Sequence, residues 1–96
     1  MSKKVYTFLA NGFEEVECLA VVDLLRRANI EVVMVSITNN KYITGSHRIT
    51  VQADALFDET DFSDASLLFL PGGMPGTKYL AAHEGLTTLI KNCHKN

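Results

Sequence analysis

Three carboxylates crowd the stretch Asn11-Gly12-Phe13-Glu14-Glu15-Val16-Glu17, where a short apolar run gives way to an amphipathic segment. A carboxyl group can deliver or accept a proton in catalysis when burial or a partner sets its protonation state. From about Glu14 to Ala28 the apolar residues recur at helical spacing. Helix residues advance by about 100° each, so Glu17 shares a face with Val21, Leu24 and Ala28, with Ala20 and Leu25 flanking that arc. Glu15, Asp23 and Arg26 point elsewhere. Glu17 is therefore expected on the apolar stripe, desolvated and biased toward its protonated form. Glu14 and Glu15 have a plainer explanation, because first-turn carboxylates complement the positive end of a helix.

The second feature is Pro71-Gly72-Gly73, which directly follows the apolar run Ser66 to Leu70. Paired glycines between a buried strand and a helix let backbone amides turn outward without Cβ obstruction. Such amides can hold an anion or a developing oxyanion. A tight connector explains the same residues equally well. Neither GxGxxG nor GxxxxGK[ST] is present, so this is no phosphate loop. Cys18 lies mid-helix beside the acid and reads as a core or partly buried thiol. Cys93 and His94 are adjacent, which on a helix end sets their side chains about 100° apart, and they read as exposed helix residues. His47 and His83 fall in loop contexts without ligand spacing, so neither a metal site nor a cofactor is expected. The acidic run Asp54, Asp58, Glu59, Asp61 and Asp64 matches no calcium loop and reads as a solvated connection.

The elements that must position these residues follow in order. Lys4 to Ala10 is a strand rich in β-branched and aromatic residues, continuous enough to be covered on both faces, as parallel strands are. Asn29, after Arg26-Arg27, is a left-handed stop for the first helix, and Glu31 to Ile37 is a second strand. That βαβ unit implies a parallel pair with a right-handed crossover. Tyr42-Ile43-Thr44 and Arg48 to Gln52 form a small antiparallel hairpin around Gly45-Ser46, and Ala53 to Asp64 crosses the surface. Ser66 to Leu70 is a third main strand, apolar throughout and expected to be central, followed by helices over Thr77 to Ala82 and Glu84 to Asn92. The architecture is an α/β three-layer sandwich with a mostly parallel sheet, whose sites lie at the strands' carboxyl ends near a topological switch point. Both Asn11–Glu17 and Leu70–Gly73 fall at such ends.

Composition narrows the partners. The 96 residues are 47% apolar and 21% charged, enough for one packed domain. A net charge of -2, with no basic cluster, argues against nucleic-acid binding. No apolar run reaches the roughly 18 to 20 residues needed to cross a membrane, and Met1-Ser2-Lys3-Lys4 opens no signal peptide. Cys18 and Cys93 form no CxxC, which suits a reducing, cytoplasmic setting.

Taken together, FLANGFEEVECLAVVDLLRRANIEVVMVSI, TGSHRITVQAD and LLFLPGGMPGTKYL, in this order and spacing, resemble the ThiJ/PfpI superfamily. The nearest branch is that of the parkinsonism-associated deglycase and its bacterial relatives. The resemblance covers essentially the whole chain. It implies a flavodoxin-like fold and a homodimer. It aligns Glu17 with the last acid of the family's E-E-x-E pattern, which is protonated and hydrogen-bonds a reactive cysteine. It aligns Pro71, Gly72 and Gly73 with a Pro-Gly-Gly whose amides face that cysteine and the substrate oxygen. Glu14, Glu15, Arg27 and Arg48 match positions near the dimer interface by the active site. The family's nucleophile falls beyond Asn96, so residues 1–96 read as the N-terminal half of a single domain whose sheet is incomplete in this chain. A cut in the loop after Asn96, with the C-terminal half staying associated as a second chain, is the simplest account, and a truncated gene is the alternative.

The implied function is that of a cysteine-dependent glyoxalase or deglycase-like protein of oxidative-stress defence, acting on small oxoaldehydes or their adducts and inactive as this chain alone. Glu17 would be its acid, and Gly72 and Gly73 its oxyanion amides. A redox sensor or holdase chaperone, and a peptidase or amidase-like hydrolase, are the other activities the resemblance leaves open.

Overall fold

A computed structural model describes residues 4–71 and 76–94. Strand β1 (Lys4–Leu9) leads into helix α1 (Glu15–Arg27), strand β2 (Glu31–Ser36), strands β3 (Tyr42–Thr44) and β4 (Thr50–Gln52), and the short strand β5 (Ala55–Leu56). A 3-10 turn (Phe57–Glu59), strand β6 (Leu67–Phe69) and helices α2 (Gly76–Ala82) and α3 (Glu84–His94) follow. The main sheet has the order β5-β2-β1-β6, with every pairing parallel. β3 and β4 pair separately as the expected antiparallel hairpin, with Ile43 opposite Val51.

Strand alternation sorts β1 and β2 between two cores. Val5, Leu9, Val32 and Met34 pack with Phe13, Cys18 and Val22 beneath α1, a core that also takes in Ile43 of the hairpin. Tyr6, Phe8, Ala10 and Val35 face the other way, against Leu80 and Leu86 of α2 and α3. Helices on both faces of a parallel sheet make the α/β three-layer sandwich.

α1 ends where Asn29 takes a left-handed backbone, at φ 64°. The amide of Asn29 donates to Arg26 O and that of Ile30 to Leu25 O, both at 3.0 Å, which is a Schellman closure. Leu25 and Ile30 each pack against the α1-side core.

Two expectations about the sheet need correction. Ser66 to Leu70 is not central here: β2 and β1 are the inner strands, and among the described residues β6 lies at one edge and β5 at the other. With one strand partner, β6 leaves Leu67 57% exposed, and Leu70 just beyond it is 43% exposed. Nor does Ala53 to Asp64 merely cross the surface. Ala55 and Leu56 pair with Val35 and Ser36, and Phe57 and Phe62 stack at 5.1 Å over the second core. Phe57 and Phe62 anchor this segment from within, and Asp54 and Asp64 tie its ends down by accepting the Met34 amide at 2.9 Å and the Tyr6 hydroxyl at 2.7 Å.

Candidate functional site

β1 pairs with β2 on one side and with β6 on the other, yet the chain passes from β1 through α1 to β2 before it reaches β6. The β1–β6 pair is therefore the switch point, and their carboxyl ends open at the same rim of the sheet. Asn11–Glu17 leaves β1 at that rim. Leu70 and the buried Pro71 leave β6 beside it. Gly72 and Gly73, the expected oxyanion donors, lie outside the described residues.

The first helical turn is arranged differently from the expectation. Glu17 is exposed, and so are Leu24 and Ala28 of the stripe assigned to it. The buried face of α1 instead carries Glu15, Cys18 and Val22. The helix is apolar around much of its circumference, with Val16, Ala20, Val21 and Leu24 forming one stripe and Cys18, Leu19, Val22 and Leu25 another. Periodicity alone could not choose between them. The sheet takes the second stripe, and Glu17 faces solvent.

Glu15 is the buried acid, with 1% of its surface exposed. Its Oε2 accepts the backbone amides of His47 at 2.7 Å and Ile49 at 3.2 Å, and its Oε1 lies 2.9 Å from Nδ1 of His47. Burial pushes this carboxyl up, but the His47 ring and the backbone amides outweigh it and hold the group down at about 2. Its neighbours raise His47 in turn, first through the hydrogen bond to Glu15 and then through the charges of Glu14 and Glu15. Glu14 caps the helix, its Oε1 accepting the amide of Val16 at 3.0 Å, while its Oε2 lies 3.8 Å from the same imidazole nitrogen.

Further bonds lace the hairpin to the β1–α1 link. Gly12, at φ 90°, donates to Thr44 O at 2.8 Å, Asn11 Oδ1 accepts the Thr44 amide at 3.1 Å, and Ser46 donates to Phe13 O at 2.9 Å. Sequence reasoning missed the Glu15–His47 pair because its members stand 32 positions apart. The one available signal was Gly45-Ser46-His47-Arg48, a tight turn, bearing an imidazole, that had to pack somewhere.

Cys18 is fully buried, and burial pushes its thiol up to about 11, with Thr7 opposing weakly. A thiol so protonated is a poor nucleophile. The side chains of Cys93 and His94 lie outside the described part of the chain. No helix among the described residues is long and apolar enough to cross a membrane.

Comparison with known proteins gives a consistent answer. Residues 3–96 match the DJ-1/PfpI family. Protein DJ-1 homolog B of Arabidopsis thaliana is 35% identical over 83 residues, 86% of this chain and 19% of that protein. A deglycase of Thermococcus kodakarensis is 39% identical over 70 residues, covering 73% of this chain and 42% of that protein. The solved structure of oxidized DJ-1 from Toxoplasma gondii superposes with a TM-score of 0.90 at 32% identity, over 95% of this chain and 50% of that one. The chain thus spans half or less of the length of each of these proteins.

Proposed function

Since the chain belongs to the DJ-1/PfpI family, we propose that it forms the acid and oxyanion side of a cysteine-dependent site acting on small oxoaldehydes or their adducts. The observation that carries this reading is the shared rim of β1 and β6, at a switch point, with Glu17 exposed in the first turn above it. An exposed carboxyl there is open to a thiol from a part of the protein outside this chain.

The thiolate attacks the aldehyde carbon, a carbon–sulfur bond forms, and the carbonyl electrons move onto oxygen. Amides of Gly72 and Gly73 steady that oxyanion. Glu17, covered once the thiol-bearing part packs over it, protonates that oxygen. It then moves the proton of the former aldehyde carbon to the adjacent carbonyl carbon, giving a thioester that water splits into a hydroxy acid and the free thiol. Cys18 is excluded from the nucleophile's role by its burial.

The test is Glu17→Gln in the protein that carries both this chain and the nucleophile. Turnover of methylglyoxal should fall by about 10²- to 10⁴-fold, the usual worth of a general acid–base group. A variant that turns over like wild type overturns the assignment.

We extend the reading to a homodimer through the α1 stripe that the sheet leaves open, where Val16 is 71% and Leu24 65% exposed. Leu24→Asp should sediment as a monomer, and a variant that still dimerises excludes this face. A redox-sensing role is the second reading, favoured by the oxidized state named for the Toxoplasma relative. Peroxide titration followed by mass spectrometry separates the two, since selective cysteine oxidation without aldehyde turnover supports the sensor.

A further inference from the structure

Glu14, Glu15 and His47 each offer one donor atom, and these atoms all lie within 4.8 Å of one another. We propose that this cluster binds a divalent transition-metal ion of the zinc class, clamping the β3–β4 turn onto the start of α1.

The donors come from two elements, and each is held by the backbone. Glu14 spends Oε1 on the Val16 amide, which leaves Oε2 facing the imidazole. Glu15 spends Oε2 on the amides of His47 and Ile49, which leaves Oε1 facing the same nitrogen. Carboxylates fixed through their second oxygen are the arrangement that orients metal ligands. The His47 ring is delivered by a turn in which Gly45 accepts the amide of Arg48 at 3.1 Å and Arg48 adopts φ 68°.

Distances agree with a shared ion. Ligands about 2.0 to 2.1 Å from a tetrahedral zinc stand about 3.3 Å apart. The imidazole nitrogen lies 2.9 Å from one carboxylate oxygen and 3.8 Å from the other, each within about half an ångström of that spacing, and the two carboxylate oxygens stand within 4.8 Å of each other. The His47 side chain is 66% exposed, which leaves an approach from solvent for the ion and for a water as fourth ligand.

The mixed donor set selects the metal class. One imidazole nitrogen with two carboxylates suits zinc and its transition-metal neighbours, whereas calcium and magnesium take oxygen alone. The helix's positive end, equivalent to about half a charge, opposes a cation, but two carboxylates outweigh it. In the metal-free protein the 2.9 Å contact between His47 Nδ1 and Glu15 Oε1 takes the ion's place.

The test is calorimetric titration of the chelator-treated protein with zinc chloride, repeated with His47→Ala and Glu14→Gln. Both side chains reach solvent, so the variants should fold, and the glutamine keeps the oxygen that caps the helix. One equivalent of zinc should bind to wild type, and each variant should lose about 10- to 100-fold or more in affinity. Cobalt in place of zinc should show ligand-field bands without a sulfur-to-cobalt charge-transfer band, which separates this site from any thiol site. Absence of binding to wild type, unchanged affinity in His47→Ala, or a thiol signature in the cobalt spectrum overturns the proposal.

Discussion

Gly45 stands where any Cβ would collide with the carboxylate of Glu15: its ideal position comes well inside van der Waals contact of the Cγ, Cδ and Oε2 atoms of that side chain. The buried acid and the glycine therefore share one space, and the turn closes around the acid because residue 45 has no side chain. Gly45→Ala should force Glu15 out of its nest or displace the turn. Overpacking of this kind typically costs about 1 to 3 kcal/mol. The midpoint of urea unfolding should drop while the slope stays constant. An unchanged midpoint would show that the turn can open freely away from α1.

The same nest sets a pH dependence, read in chelator-containing buffer so that no metal competes. Glu15 is held at about 2, below its ordinary 4.5. Its contribution to stability is therefore complete above 4.5 and is lost as pH falls toward about 2. His47 is raised above its ordinary 6.5, so its contribution is complete below 6.5 and is lost as pH rises through the folded value. Together they favour the fold most strongly between about 4.5 and 6.5. Thermal melts of wild type and His47→Ala across pH test this. The variant should lose the decline on the alkaline side while keeping an acid-side decline, since the backbone amides still hold Glu15.

The fold was far more legible in the sequence than the site. Parallel strands, the Asn29 stop and the hairpin are each written locally, in a run, a turn residue or an alternation. What stayed hidden was the rotation of α1. A helix with apolar residues around most of its surface has no single stripe, so periodicity puts Glu17 inside and Glu15 outside, and the reverse holds. The choice depends on which face fits the sheet, and on a partner for the buried acid that lies in a distant turn. The placement of β5 was hidden for a similar reason, because two paired residues leave no period to detect.

Thr7 illustrates a cost within the central strand. Its Oγ1 is buried and has no hydrogen-bond partner among the described residues, with the Cys18 thiol too weak a neighbour to supply one. A hydroxyl in that position carries a desolvation penalty that a methyl group would not. Thr7→Val preserves the shape and the β-branched fit to the strand. It should stabilise the protein by about 1 kcal/mol in urea unfolding. A destabilised valine variant would mean that the hydroxyl has a partner in the complete protein.

Cys18 separates a structural thiol from a reactive one. It sits one residue beyond Glu17 in sequence, but its side chain enters the core formed with Phe13, Val22 and Met34. Only the thiolate is nucleophilic, and a thiol at about 11 is almost wholly protonated at neutral pH. Alkylation by iodoacetamide should therefore be slow in the native protein and become fast once urea unfolds it. Peptide mapping after a timed pulse would locate the label. Modification of Cys18 in the folded state at the rate of an exposed thiol would show that this helix opens on its own, and would return Cys18 to contention as the reactive cysteine.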